Sequence, residues 1–576
     1  MKRWWLVGVF VFFLGFLVLS IGAEKSDKPD WVNGKEVAPN EVLIKFKDAS
    51  WADIENAKLR GDIEHAKKIG GIEAYRFRSS SKKVADLISL YAEEPKVVYV
   101  EPNFVLYADT LPNDPRYSDL WGMAKINAPL AWSLATGTRD VTVGVVDTGV
   151  DYTHPDLAAN VWTAPWAFNV TIGGVTKICP AGAHGYNAIR ETFDPMDDND
   201  HGTHVSGTIG AVGDNNVGVV GVNWFASIMG LKFLGKGGSG NTADAVDAIE
   251  FAIQAKLKGA ANVRVLSNSW GGGYSTYAMR EEIERAYDEN ILFICSAGNS
   301  GRLVKNYYLP NYNVLNLLAV AASDPNDYLA GFSNYGDISI HLAAPGVSVL
   351  STIRKSSYAY FNGTSMAAPH VSGTAALVIA KWGSENVDVN VDKLRSILIN
   401  SVDTVNKDPE PGYPDANAKN LYGKTIANGR LNASTAVSLN PGGVSPFPDF
   451  VMSFISPMKT IVRGSYADFV LELKSYFDYS EANLKIGLAC CKSGGVTVKM
   501  LDPDLNIWVD LSQDGVVTVA LGANQTNFLQ MRVETATNAS VMDYRISLYA
   551  QDEQVGTEAG PFLYHNDTAY LTVKRR

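Results

Sequence analysis

The chain has 576 residues, too many for one hydrophobic core, and its 46% hydrophobic and 19% charged residues are those of an ordinary globular protein. The formal net charge of −11 argues against nucleic acid as a partner, because phosphate binding needs clustered Lys and Arg. The four cysteines are too few for a disulfide-dense scaffold, and with no Cys-x-x-Cys and no Cys/His spacing they do not suggest zinc.

Met1-Lys-Arg precedes an apolar run from Trp4 to Ile21, with small residues at Gly22 and Ala23. A basic start, an apolar centre and a small-residue end read as a secretory signal peptide over residues 1–23. A retained anchor is the alternative, since the run approaches the ~20 residues that span a bilayer. No later segment has that length and apolarity. Residues 24–110 form a separate unit. Strands are expected at Val42–Phe46, Ile72–Phe77 and Val97–Val100, and helices near Trp51–Lys58 and Lys83–Tyr91, which suggests a small α/β domain.

Val141-Thr-Val-Gly-Val-Val-Asp147-Thr-Gly-Val150 is a continuous β-branched run that ends in a carboxylate and a glycine turn. A strand buried in a parallel sheet reads this way, and open α/β sheets place their sites at such C-terminal edges. The stretch from Val161 to Arg190, with its Gly and Pro turns and Cys179, suggests no function. Asp200-His201-Gly-Thr-His204-Val-Ser-Gly-Thr-Ile209 is a polar start to a helix. Ile291–Cys295 is a second apolar strand, and Ser296-Ala-Gly-Asn299 follows it. At Asn362-Gly-Thr-Ser365-Met-Ala-Ala-Pro-His370-Val-Ser-Gly373 a glycine turn runs into an alanine-rich buried helix. Backbone N–H groups in a first helical turn have no partner and favour negative charge, so Ser365 is either the N-cap or a nucleophile.

The three segments around Asp147, His201 and Ser365, in that chain order, resemble the signature motifs of the subtilase family of serine proteases. The resemblance runs from about Leu111 to Leu439. It implies a parallel sheet flanked by helices over 111–439, preceded by an inhibitory α/β propeptide over 24–110. The tail of that propeptide, Glu101–Thr110, would be released by self-cleavage between Phe104 and Leu111. It implies Ser365 as nucleophile, His201 as its base and Asp147 as the residue that holds the His201 tautomer. His204 and His370 then serve packing. Asn299 matches the side-chain oxyanion donor, although Ala-Gly-Asn-Ser-Gly alone also reads as a turn. Gly238-Ser239-Gly240 resembles the strand that pairs with a substrate peptide. Ser269-Trp270-Gly271-Gly272 resembles the facing strand and one wall of the primary specificity pocket, with Trp270 where many members carry leucine.

The family's tight calcium site maps to Asp114, Asp156 and Asn215, with carbonyls from Val217 and Val219. Asp214 or Asn216 are the alternatives to Asn215. A second acidic stretch, Asp194–Asp200, is a further candidate for an ion or else a solvated loop. The resemblance also implies protein or peptide substrates, the chain's own propeptide as inhibitor, a monomer and an extracellular location. Residues 440–449 read as a Gly/Pro linker. Beyond it, alternating runs at Phe469–Lys474, Val496–Met500, Val516–Leu521, Phe528–Val533, Tyr544–Tyr549 and Tyr570–Lys574 suggest an all-β sandwich over 450–576 with no catalytic constellation. Cys295 reads as a buried thiol, and adjacent Cys490 and Cys491 would be strained if paired together.

Two other enzyme classes fit less well. His201 and His204 lack the intervening glutamate of His-Glu-x-x-His. Gly-Thr-Ser-Met-Ala lacks the last glycine of the esterase elbow. An inactive protease scaffold carrying an adhesive domain is the non-enzyme alternative.

Overall fold

The computed structural model describes residues 30–105 except 33–34, and 111–404 except 273, 305–306, 313 and 337–338. It also describes 421–444 except 422, and a set of strands between 449 and 574. The expected signal peptide, residues 106–110 of the propeptide tail, residues 445–448 of the linker, and Cys490 and Cys491 lie outside the described residues.

The N-terminal unit is an antiparallel sheet with two helices. Lys35–Phe46 pairs with Ala74–Ser79 on one side and Val97–Phe104 on the other, and Ile63–Ile69 forms the outer strand. The helix Trp51–Arg60 opens with a capping box in which Ser50 and Asp53 satisfy each other's backbone N–H groups. Val42, Ile44, Phe77, Leu87 and Tyr91 are fully buried at its core. The α/β expectation holds, with two strands added, Asp30–Val32 and Ile63–Ile69. The second carries apolar residues only at every third position, so it lacks the alternation by which strands are recognised.

The second unit is built on a nine-stranded sheet. Its spatial order is 403–404, 429–430, 342–345, 317–323, 292–296, 263–268, 137–147, 225–232 and 185–187. The pairings are parallel except at the 403–404 edge. The chain builds 225–232 on one side of the 137–147 strand and then crosses to 263–268 on the other. That reversal makes the C-terminal end of the 137–147 strand a topological switch point, and Asp147 is its last residue. Val141–Asp147 are all buried, which is why the run is apolar without alternation.

The helix Thr364–Ser384 packs against the strands ending at Asp147, Asn268, Ser296 and Ser323 and is buried along most of its length. The stretch after Val161 becomes an antiparallel hairpin, Phe168–Ile172 with Val175–Cys179, and then the edge strand Gly185–Asn187. The hairpin is tied to the helix Thr242–Leu257 through Gln254, which accepts from Thr171 N–H and donates to Thr171 C=O. Cys179 and Cys295 are buried free thiols, and burial pushes the Cys179 pKa up to about 12.

After residue 449 the described chain forms two five-stranded sheets. One orders 449–455, 466–476, 526–535, 496–501 and 508–510; the other orders 458–462, 564–574, 543–552, 482–488 and 517–521. In the first sheet Phe469 and Leu471, Val498 and Met500, and Leu529, Met531 and Val533 are buried, a period of two that marks one covered face. All six expected strands are present, and four more join them.

Candidate active site

Three elements converge on a cleft of about 500 Å³ whose wall includes His201, Asn299 and Ser365. The first is the turn after Asp147. Asp147 is fully buried, and its Oδ1 accepts from Thr148 N–H and from His201 Nδ1, both at 2.7 Å. A carboxylate only accepts, so His201 carries its proton on Nδ1 and leaves Nε2 as the basic nitrogen. Burial alone would lower the His201 pKa. The Asp147 charge, its hydrogen bond and the charge of Asp197 outweigh that and leave it raised.

The helix His201–Gly210 is fixed at its start by side chains from elsewhere. Its first three N–H groups lack intrahelical acceptors. His201 N–H donates to Asn199 Oδ1 (3.3 Å), Gly202 N–H to Thr148 Oγ1 (2.9 Å) and Thr203 N–H to Asp197 Oδ2 (3.1 Å). Thr148 therefore links the Asp147 turn directly to the His201 helix. A Cβ on Gly202 would lie 2.1 Å from Gly149 C=O, so only glycine allows this approach.

The carboxylates of the acidic stretch before the helix are bonded within the protein. Asp197 accepts from Thr148 Oγ1, Asn199 N–H, Asp200 N–H and both N–H and Oγ1 of Thr203. Asp198 pairs with buried Lys232 at 2.7 Å, and Asp200 with Arg354 at 2.7 Å. The assigned work of these carboxylates is to position the His201 helix, a role invisible in a bare run of Asp and Asn.

The third element removes the N-cap reading of Ser365. Gly363 is the N-cap of the helix, and Ser365 is its second residue. Its N–H therefore lies in the first turn, where no carbonyl four residues back is available. Ser365 Oγ donates to Ser269 C=O at 3.0 Å. In return Ser269 Oγ donates to Ser365 C=O at 2.8 Å. That carbonyl is available because Pro369, four residues on, has no N–H to offer it. The Ser269–Ser365 exchange was not anticipated, although a proline four residues after the serine is its signal.

Asn299 stands beside Ser365. Its Oδ1 accepts from Thr364 N–H and Thr364 Oγ1, both at 2.9 Å, and Thr364 Oγ1 accepts from Gly298 N–H at 3.0 Å. With its oxygen fully engaged, the Asn299 amide presents Nδ2 as its free-facing donor end. Thr364 thus sets the amide orientation, and it too was missed.

The other two histidines of these motifs, His204 and His370, hold structural contacts. His204 stacks on Phe361 at 4.3 Å, its Nε2 lies 3.1 Å from the carbonyls of Val349 and Ala359, and burial lowers its pKa to about 3. His370 Nδ1 lies 2.9 Å from Met366 C=O, and burial lowers its pKa to about 4.

Gly238, Ser239 and Gly240 line the cleft as irregular backbone rather than a regular strand. On the facing side Gly272 and Tyr308 form an antiparallel bridge, and Trp270 meets Phe233 edge-on at 4.6 Å. Ser269, Trp270 and Gly271 line the same cleft.

Away from the cleft, Asp156 and Asp114 are buried, and half-buried Asn215 lies beside them. Asn215 Nδ2 donates to Asp156 Oδ1 at 2.9 Å, and Val219 N–H donates to Asp156 Oδ2 at 2.9 Å. Val217 N–H donates to Asn215 Oδ1. Asp214 instead accepts from Asn113 N–H, so Asn215 is the loop residue facing Asp156. Asp114 Oδ1 is buried without a partner among the described residues. Burial, reinforced by the Asp114 charge, pushes the Asp156 pKa up to about 6. Two buried carboxylates, one with an orphaned oxygen, are suited to a hard cation that would supply the missing positive charge.

Comparison with known proteins gives two family matches. Residues 138–424 match the model described as Subtilase family, and residues 25–103 match the Fervidolysin N-terminal prodomain. The chain is 33% identical over 353 residues to the thermophilic serine proteinase of Bacillus sp. (strain AK1), covering 61% of this chain and 80% of that protein. It is 33% identical over 327 residues to thermitase of Thermoactinomyces vulgaris, covering 57% and 99%. Against subtilisin E of Bacillus subtilis (strain 168) the identity is 30% over 380 residues, covering 64% and 88%.

Proposed function

This chain belongs to the subtilase family, a subtilisin-like serine endopeptidase with an N-terminal prodomain, and we propose that it is a secreted, calcium-stabilised member activated by its own cleavage. The observation that carries the catalytic assignment is the His201–Asp147 bond at the sheet's switch point, on the same cleft as a serine in the first turn of a helix. Ser365 Oγ leaves Ser269 C=O, passes its proton to His201 Nε2 and attacks the peptide carbonyl. The oxyanion takes Ser365 N–H and Asn299 Nδ2. A side-chain donor of this kind is worth about 2.7–4 kcal/mol, a value measured on subtilisin. His201 then protonates the leaving amine, and water releases the acyl group by the reverse sequence. Gly238–Gly240 and Ser269–Gly271 are the segments proposed to hold the substrate backbone.

A fluorophosphonate tests this directly. It is expected to add its phosphoryl group to Ser365 alone, as read by peptide mass, and heat-unfolded protein is expected not to react. Labelling elsewhere, or none in folded protein, would remove Ser365 from the role.

The proposed organisation is a signal peptide over 1–23, a propeptide over 24–110, the catalytic domain over 111–439, a linker over 440–449 and a β-sandwich over 450–576. Export is supported by the apolar N-terminal run, and among the described residues no helix is long and apolar enough to cross a membrane. The sandwich reading is supported by the two five-stranded sheets. Protein or peptide substrates and a monomeric state complete the proposal.

Calcium is assigned to Asp114, Asp156 and Asn215, with the backbone carbonyls of Val217 and Val219. When bound it would neutralise the two buried carboxylates and tie the loop 213–219 to the body of the domain. Saturating calcium at a hundredfold its Kd is expected to raise Tm by about 4 °C over chelator-treated protein. Asp156→Asn is expected to abolish that difference. A melting curve indifferent to chelator and calcium would sink the assignment.

A further inference from the structure

Two segments border Ser365 at the cleft. One is Ser269–Gly272, bonded to it through Ser269. The other ends at Ala297-Gly298-Asn299, bonded to Thr364. Each carries a glycine facing the same object. A Cβ on Gly271 would lie 2.6 Å from Tyr307 Oη and 2.7 Å from its Cε1 and Cζ. A Cβ on Gly298 would lie 2.5 Å from Asn334 Nδ2, 2.7 Å from Tyr307 Cε1 and 2.9 Å from its Cζ. The two glycines therefore clear a gap between the segments, and the phenol ring of Tyr307 occupies it. The backbone that carries the ring is held in place. Gly272 N–H donates to Tyr308 C=O at 2.5 Å, Tyr308 N–H donates to Gly272 C=O at 2.7 Å, and Asn311 Nδ2 donates to Tyr307 C=O at 2.8 Å. Tyr307 and Ser365 line one continuous cleft, and the rest of the ring packs on the hydrophobic core.

We propose that Tyr307 is a specificity-determining residue that fills the floor of the pocket for the substrate side chain on the acyl side of the scissile bond. The enzyme then favours peptides with a small residue there, such as glycine, alanine or serine. This rests on Ser365 being the nucleophile, because the bonds to Ser365 and Thr364 are what identify the two segments as the pocket's walls. A glycine-walled slot would otherwise admit a flat aromatic side chain, and here the protein supplies that ring itself. Discrimination by filled volume is steep once a whole ring, rather than a methylene, has to be displaced.

The test uses the full chain and peptide anilides that differ only in having alanine or phenylalanine before the scissile bond. The parent is expected to show kcat/KM for alanine at least about tenfold above that for phenylalanine. Tyr307→Ala is expected to raise the phenylalanine-to-alanine ratio at least tenfold, and Tyr307→Phe, which keeps the ring, to hold the parent's ratio. An active parent that cleaves after phenylalanine as readily as after alanine overturns the proposal without any variant being needed. So does an active Tyr307→Ala whose ratio is unchanged. A parent that neither hydrolyses the peptides nor reacts with a fluorophosphonate overturns the nucleophile assignment beneath it.

Discussion

Ser365→Ala is expected to lower kcat on the order of 10⁶-fold, the size found for the nucleophile of subtilisin, and to leave the chain uncut. The two effects share one cause. If the enzyme releases its own prodomain, the bond between Phe104 and Leu111 is its first substrate, and a chain without the nucleophile keeps that bond. The parent's mass should fall with time by a fragment ending in this interval, while the variant's stays whole. Misfolding is not the expected reason for the difference. The hydroxyl makes a single neutral bond to Ser269 C=O, whose loss costs about 1 kcal/mol. Ser269 Oγ still holds the Ser365 carbonyl, which belongs to the backbone and survives the substitution. Mixing active parent with intact variant separates cleavage within one chain from cleavage between chains. If parent and variant both stay whole under folding conditions with calcium, self-processing fails. An inactive scaffold or an external activating protease then becomes the better reading.

What the residues revealed in advance follows from which interactions are local. The Asp147 strand was legible because a strand covered on both faces is apolar without alternation, and the run from Val141 to Val146 carries one polar residue, Thr142. The Ser365 turn was legible because a glycine before an alanine-rich run marks a helix start. Whether Ser365 was the cap or lay inside the first turn was not, since that depends on the backbone angles of Gly363. The missed parts are contacts between residues distant in sequence. Thr364 orients Asn299 across 65 positions, and Ser269 reaches the Ser365 carbonyl across 96. The acidic run Asp194–Asp200, which contains Asp197, read as a second ion site or a solvated loop. Only the folded chain shows that Thr148 and Thr203 have taken the Asp197 oxygens. The strand Ile63–Ile69 failed for a different reason. It is an edge strand with lysines and a glutamate outward, so no alternation was there to see.

The second large effect concerns the base. Asp147→Ala is expected to lower kcat by about 3 × 10⁴, again the scale of the corresponding change in subtilisin, and to move the acid limb of the pH profile downward. The sign follows from what surrounds His201. Burial lowers its pKa, whereas the charge and hydrogen bond of Asp147, with Asp197 behind it, raise it above its ordinary value. The base works only when neutral, so the parent loses activity as pH falls through this raised pKa. Without Asp147 the burial penalty acts with only the more distant Asp197 against it, and His201 stays neutral to lower pH. The residual kcat/KM of the variant should therefore hold at acid pH values where the parent's is already falling. A second consequence is positional. Asp147 Oδ1 is shared by His201 Nδ1 and Thr148 N–H, so its removal frees the imidazole to take the other tautomer, with the proton on the nitrogen that must accept from Ser365. The Thr148 Oγ1 bond to Gly202 N–H keeps the turn and the helix joined, so the loss belongs to the imidazole rather than to the fold. A variant whose acid limb coincides with the parent's would mean that Asp147 does not set the His201 pKa, and the geometric pair would then be structural only.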